Sequence, residues 1–194
     1  MNKQQLEIIL DLYALMTHNY EHYDDIEDLV SDALEIGADL NVNPEGNYEY
    51  ELSGQWSLLM YACRNHWEKT IVLFMQAGAK PCLKCLQLFT SYTGLSRKLY
   101  LIDQMVEYGL DIKNALNVHI GDTDYEIHII KLGANMSDKY IKMAITRNVP
   151  ELLPYIVKEI NASNRYVFIQ YLPAQYHHEF PTQIVKAALK GIYN

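Results

Sequence analysis

The chain has 194 residues, 49% apolar and 21% charged, a globular composition that excludes wholesale disorder. At roughly 150 residues per domain it makes one domain or one short repeat array, long enough to bury about 70% of its unfolded surface. The net charge of −8 is uneven: residues 1–54 hold 13 acids and one base, Lys3, whereas residues 55–194 hold 15 bases and 11 acids. An acidic end repels nucleic acid and attracts basic partners, and its plainest role is a solvated face. No apolar run approaches about 18 residues, so no membrane-spanning helix is expected. The start, Met1 to Gln5, leads into an amphipathic stripe and not into an apolar leader. Three cysteines, Cys63, Cys82 and Cys85, are an odd, small set that suggests reduced thiols and a cytoplasmic location.

Apolar residues recur at helical spacing along the chain. Leu6, Ile9, Leu10, Tyr13 and Met16 make the first stripe, and Ile26, Leu29, Val30, Ala33 and Leu34 the second. Leu58, Leu59, Ala62 and Cys63 follow, then Ile71, Val72, Phe74 and Met75. Further stripes run through 83–89, 99–106, 125–132, 140–145, 152–160, 167–172 and 184–192. Only Tyr48-Glu49-Tyr50-Glu51-Leu52 alternates with period two, as a short hairpin arm would.

The stops are as regular as the stripes. Gly37, Gly78, Gly109 and Gly133 each follow an apolar residue three positions earlier and precede Ala or Leu. Glycine accepts the left-handed conformation that ends a helix, and the flanking apolar residues close the cap. A fifth copy, Val157-Lys158-Glu159-Ile160-Asn161, keeps the shape without glycine. Helical units repeated in this way bury their apolar faces by stacking on one another.

Gly37-Ala38-Asp39-Leu40-Asn41 resembles the Gly-Ala-Asp-Val-Asn signature of ankyrin repeats. Gly78-Ala79-Lys80 and Gly133-Ala134-Asn135-Met136 are weaker copies. Ser57-Leu58-Leu59-Met60-Tyr61-Ala62 stands where that family has Thr-Pro-Leu-His-x-Ala. Arg64-Asn65-His66-Trp67-Glu68 and Arg147-Asn148-Val149-Pro150-Glu151 resemble its inter-helix turn. No copy has the full Thr-Pro-Leu-His motif, the repeat at 110–133 is short and the loop at 42–55 is long. The resemblance implies one all-α domain over 1–194, an ankyrin-like solenoid of about five degenerate helix–turn–helix repeats. An N-terminal capping helix would occupy 1–23, the repeats 24–161 and C-terminal capping helices 162–194. Degenerate Asn- and Tyr-rich repeats of this kind are similar to those of viral and phage proteins aimed at host factors, which would place the chain in the host cytoplasm.

Three short motifs carry potential chemistry. His18-Asn19-Tyr20-Glu21-His22 matches the inverted zinc-peptidase pattern, two imidazoles one turn apart with Glu21 as base, but a third ligand and a cleft are missing. Cys82-Leu83-Lys84-Cys85 is a lone CxxC without two further ligands at a recognisable spacing, and it reads as a half-buried helix start. His177-His178 lies between Pro173 and Pro181, in a loop. No phosphate loop, GxSxG or kinase pattern is present in the sequence. The expectation is therefore no catalysis, no metal, no cofactor and no small-molecule substrate.

What remains is binding. The segment 42–56 carries Glu45, Glu49 and Glu51 beside Tyr48, Tyr50 and Trp56. In the ankyrin arrangement such loops and the first helices of the repeats line the binding surface. Tyrosine and tryptophan supply contact area at low entropic cost, and carboxylates steer a basic protein partner. Trp67 and Tyr92 are weaker candidates. The expected function is a protein-interaction module that occludes a host protein. Its rival is an acidic mimic of nucleic acid that blocks a nucleic-acid-binding protein. Direct nucleic-acid binding is disfavoured, because bases cluster no further than Arg97-Lys98.

Overall fold

The computed structural model describes residues 1–17, 21–42, 56–89, 94–117, 122–147 and 149–159. Among the described residues the chain is all-α, with no strand. The hairpin arm expected at 48–52, the end of the fifth copy and the C-terminal capping helices expected at 162–194 lie outside them. The chain divides into two compact units, Met1–Asp111 and Ile112–Asn194.

In the first unit the stripes become helices α1 (Lys3–Met16), α2 (Tyr23–Glu35), α3 (Leu58–Asn65), α4 (Glu68–Gln76), α5 (Leu83–Phe89) and α6 (Leu95–Glu107). Helix α1 packs on α2, and α3 on α4; α1 also touches α3, which touches α5, and α2 touches α4, which touches α6. Two rows result, α1–α3–α5 and α2–α4–α6. Their shared apolar faces form the core: Ile9, Leu12, Met16, Ile26, Leu58, Leu59, Ile71, Phe74, Leu86, Leu101 and Ile102 are sealed from water. Each such side chain stabilises the fold by about 1.5–3 kcal/mol relative to exposure. Helix α6 begins four residues before its stripe, because Ser96 and Arg97 in its first turn are exposed and leave no apolar signal.

The starts of α1 and α3 are capped by their own flanking side chains. Asn2 accepts from the backbone N–H of Gln5 (2.9 Å), and the Gln5 side chain accepts in return from Asn2 N–H (2.8 Å). Ser57 accepts from Met60 N–H at 3.3 Å. Each such cap satisfies a donor the helix leaves open, typically worth about 1 kcal/mol.

Helix ends repeat one closure. Gly37, Gly78, Gly109 and Gly133 have φ of 66°, 92°, 95° and 104°. Each glycine N–H returns to the carbonyl three residues back: Leu34, Met75, Val106 and Ile130, at 3.0–3.1 Å. The next N–H, of Ala38, Ala79, Leu110 or Ala134, reaches the carbonyl five residues back at 2.8–3.0 Å. All four of those residues are buried, which gives the closure its apolar clasp.

Polar side chains then tie one helical pair to the next. Asp39 accepts from both the backbone N–H and the amide of Asn41, each at 2.9 Å. These bonds hold the Asp39 carboxyl below its usual range. So oriented, Asn41 donates to the Gly78 carbonyl (3.1 Å) and accepts from Lys80 N–H (2.7 Å). Asn65 at the end of α3 donates to the Met16 carbonyl at the end of α1, and within the first pair Gln5 of α1 donates to the carbonyls of Ile36 and Gly37 that follow α2. Backbone groups left open at helix ends thereby find partners across pairs.

The second unit holds a 3-10 turn (Ile112–Asn117), α7 (Thr123–Lys131), α8 (Asp138–Thr146), a second 3-10 turn (Pro150–Leu152) and α9 (Leu153–Glu159). The short spacing from Gly109 to Gly133 is met by that first 3-10 turn, which packs on α7 where a longer helix would otherwise stand. Tyr125, Ile129, Tyr140, Ile141 and Ala144 are buried. Glu126 is buried with them, held by the Arg147 guanidinium at 2.6 Å and the Tyr140 hydroxyl at 2.9 Å. A dry carboxylate needs such partners.

A Cβ built on Gly109 meets nothing within 4 Å, so substitution there costs backbone strain and no clash. Gly109→Ala is expected to lower unfolding stability by about 1 kcal/mol in chemical denaturation. Gly94→Ser, at a position with extended backbone (φ −61°, ψ 147°), is expected to leave it unchanged within a few tenths.

Candidate functional site

Trp56 lies immediately before the Ser57 cap of α3, and its carbonyl accepts the Tyr13 hydroxyl of α1 at 2.9 Å. The Tyr13 ring meets Tyr61 of α3 edge-on, with centroids 5.9 Å apart and planes at 88°. The Trp56 ring tilts against Tyr61 from 5.3 Å. One turn along α3, the Arg64 guanidinium sits 4.9 Å from the Trp56 ring centroid. Aromatic pairs of this geometry add about 0.5–1.5 kcal/mol beyond burial, and an exposed cation–π contact about 0.5–1 kcal/mol.

The cluster is graded from inside to outside. Tyr13 and Tyr61 are buried, Trp56 is half-buried and Arg64 is exposed. Burial raises the Tyr13 hydroxyl, with Tyr61 adding to it, and burial also raises Tyr61 against the opposing pull of Arg64. Both phenols therefore stay neutral near pH 7, and Arg64 brings a positive charge over an aromatic floor. Tryptophan, tyrosine and arginine in one rigid patch are what dominate protein-binding hot spots.

Of the residues expected to bind a partner, Glu45, Tyr48, Glu49, Tyr50 and Glu51 lie outside the described residues, as does Tyr92. Trp56 is described, and it stands against α3 of its own helical pair. Trp67 is a buried residue at the start of α4. Tyr13, Tyr61 and Arg64 were not singled out by sequence as binding residues; Tyr61 and Arg64 were read only as parts of the repeat motifs. Tyr13 sat in the apolar stripe of α1, and its meeting with Trp56 depends on the packing of α1 against α3.

His18, His177 and His178 lie outside the described residues. Glu21 accepts from the Thr70 hydroxyl at 2.5 Å and from Thr70 N–H at 3.2 Å, which caps α4. Its carboxylate thus closes a helix end. His22 Nδ1 stands 3.6 Å from an Asp25 oxygen at the start of α2. Among the described residues no group of three or more His, Cys, Asp or Glu is placed to hold a metal ion. No described helix is long and apolar enough to cross a membrane.

A second surface is electrostatic. Asp24, Asp25, Glu27, Asp28, Asp32 and Glu35 are all exposed on α2. Lys69 stands over the Tyr23 ring at its start, 5.3 Å from the centroid.

The three cysteines come together between α3 and α5. Cys63 and Cys85 are buried, and Cys82 is half-buried with its sulfur 3.6 Å from that of Cys85. The sequence reading of a half-buried helix start holds for Cys82, whereas Cys85 is fully buried, and the approach of Cys63, nineteen residues before Cys82 in the chain, had no local signal. Nearby, His66 closes α3 in the left-handed conformation at φ 59°, its ring centroid 6.1 Å from that of Phe89. No family model, curated protein or solved structure matches this chain.

Burial depresses the His66 imidazole below its ordinary 6.5. The unfolded chain therefore binds the extra proton first as pH falls. Stability is fully present above about pH 6.5 and declines below it, until the folded imidazole also protonates. His66→Asn keeps a residue tolerant of positive φ and removes this titration. Denaturation at pH 7.5 and 5.5 is expected to show a smaller loss for the variant than for the parent.

Proposed function

We propose that this chain is a protein-binding module of the ankyrin-like repeat type, and that it occludes a site on its partner without chemistry of its own. The carrying observation is the Tyr13–Trp56–Tyr61–Arg64 cluster, a graded aromatic patch with a cation at its rim. It stands on α1 and α3, which belong to one row of helices, and it adjoins the 43–55 segment with its glutamates and tyrosines. The two helix rows, α1–α3–α5 and α2–α4–α6, and the four glycine closures support the repeat reading. In an ankyrin-like stack the first helices of the pairs and their loops form the gripping face. Tyr13 and Tyr61 hold Trp56 in place before contact, so little rotamer entropy remains to be lost on binding.

The other reading, an acidic nucleic-acid mimic, is favoured by the six exposed carboxylates of α2. The two differ in how they respond to salt and to mutation. A charge-dominated complex weakens steeply as the screening length shrinks from about 10 Å at 0.1 M salt to about 3 Å at 1 M. A complex centred on Trp56 keeps most of its affinity.

The test is affinity capture from a nuclease-treated host lysate, followed by titration of the captured protein against purified variants. Trp56→Ala combined with Arg64→Glu is expected to weaken binding at least about a hundredfold, the loss of a hot-spot pair at about 2.7 kcal/mol or more. Circular dichroism should stay near that of the parent. Full affinity in the double variant, with loss on Asp24→Lys, Asp28→Lys and Asp32→Lys together, would instead establish the acidic reading.

A further inference from the structure

We propose that Cys82 and Cys85 form a redox-responsive pair, oxidised to an intramolecular disulfide by a small-molecule disulfide of the glutathione type. The two residues straddle the start of α5, one helical turn apart, with their sulfurs 3.6 Å apart in the reduced chain. A disulfide needs about 2.05 Å between sulfurs, so closure asks for a movement of about 1.5 Å. Cys82 precedes the first residue of α5, where only its own side chain and a short stretch of chain need shift.

Exposure assigns the order of events. Cys82 is the half-buried sulfur of the three, while Cys85 and Cys63 are sealed from water. Solvent base removes the Cys82 proton, and the thiolate attacks one sulfur of the small disulfide. That S–S bond breaks, a mixed disulfide forms on Cys82, and the first small thiolate leaves with the electron pair and takes up a proton. Cys85 then loses its proton and attacks the Cys82 sulfur. The second small thiolate departs and is protonated. Two protein thiols are oxidised, one small disulfide is reduced to two thiols, and no net proton is released.

The third thiol sets the resting state. The neighbouring Cys63 thiol on α3, with burial, pushes the Cys85 thiol up to about 12. Sharing with Cys85 and burial raise Cys82 as well. The reduced cluster is thus a neutral, packed contact between α3 and α5 that reacts slowly near pH 7. Oxidation takes the Cys85 sulfur out of that contact and leaves Cys63 as a single buried thiol. Pairing within one turn also explains why Cys82 and Cys85 close on each other, since Cys63 is anchored on a different helix.

The experiment incubates the full native chain with oxidised glutathione under anaerobic conditions and a chelator, traps free thiols with an alkylating agent and maps peptides by mass. The expected product has lost two hydrogens, about 2 Da, within the segment holding Cys82 and Cys85, and Cys63 is alkylated only after unfolding. Cys85→Ser is expected to stop at a glutathione adduct on Cys82, and Cys63→Ser to pair as the parent does. Three results on the parent chain alone overturn the proposal: a disulfide that includes Cys63, a glutathione adduct on Cys82 that persists, or three intact thiols in the native chain while the urea-unfolded chain oxidises.

Discussion

Among the described residues four helices end on a glycine in the left-handed conformation, and the two hydrogen bonds that this geometry permits determine where the chain goes next. The residue after the glycine turns inward and is buried, so the exit from each helix is fixed by the same core that fixes the helix. The first of these turns also aims Asp39 and Asn41 at the next one. Asn41 reaches Gly78 and Lys80 because Asp39 holds its side chain, and Asp39 is in position because Gly37 has turned the chain. A single backbone conformation thus propagates into the register between helical pairs.

The Tyr13–Trp56–Tyr61–Arg64 cluster depends on that register. Tyr13 and Tyr61 belong to different helices, and Trp56 is placed by a hydrogen bond to one and a ring contact with the other. A shift of α1 against α3 would separate Tyr13 from the other two. Asn65, which donates to the Met16 carbonyl at the end of α1, resists such a shift. Glu21 contributes likewise, from the linker between α1 and α2 to the start of α4. A binding patch built across helices in this way is rigid because the backbone ties beneath it are satisfied, and rigidity is what spares entropy on contact. The same dependence makes the thiol cluster, between α3 and α5, a report on the next helix contact along the row.

Local features of the fold were legible in the sequence because their causes are local. The stripes at Leu6–Met16, Ile26–Leu34, Leu58–Cys63 and Ile71–Met75 fell inside α1 to α4, since burial of one helix face writes a 3.6-residue period into the chain. Gly37, Gly78, Gly109 and Gly133 were legible for a similar reason, because few other residues accept their backbone angles at low cost. The 3-10 turn at Ile112–Asn117 was not legible, as six residues are too few to show a period. The left-handed closure at His66 was hidden because a histidine stands where the other closures use glycine. Trp56 was noticed for its type, but its partner Tyr13 was not, because nothing local links residues 43 positions apart, and Arg64, eight positions on, was read only as part of a turn. Glu21 was read within a metal-like pattern, and its hydrogen bonds to Thr70 required α2 and α4 to be packed first. Glu45, Tyr48, Glu49, Tyr50 and Glu51 remain readings of the sequence alone.

The most direct measurement is native-state hydrogen exchange on the free chain, read at the amides of Ala38, Ala79, Leu110 and Ala134. These four donate the long closing bond of each glycine turn. If the closures hold the fold together, the four amides exchange as slowly as the helix interiors they end, and they are lost with them in the same unfolding event. Exchange at the rate of an unstructured chain, with the helix interiors still protected, would contradict that dependence.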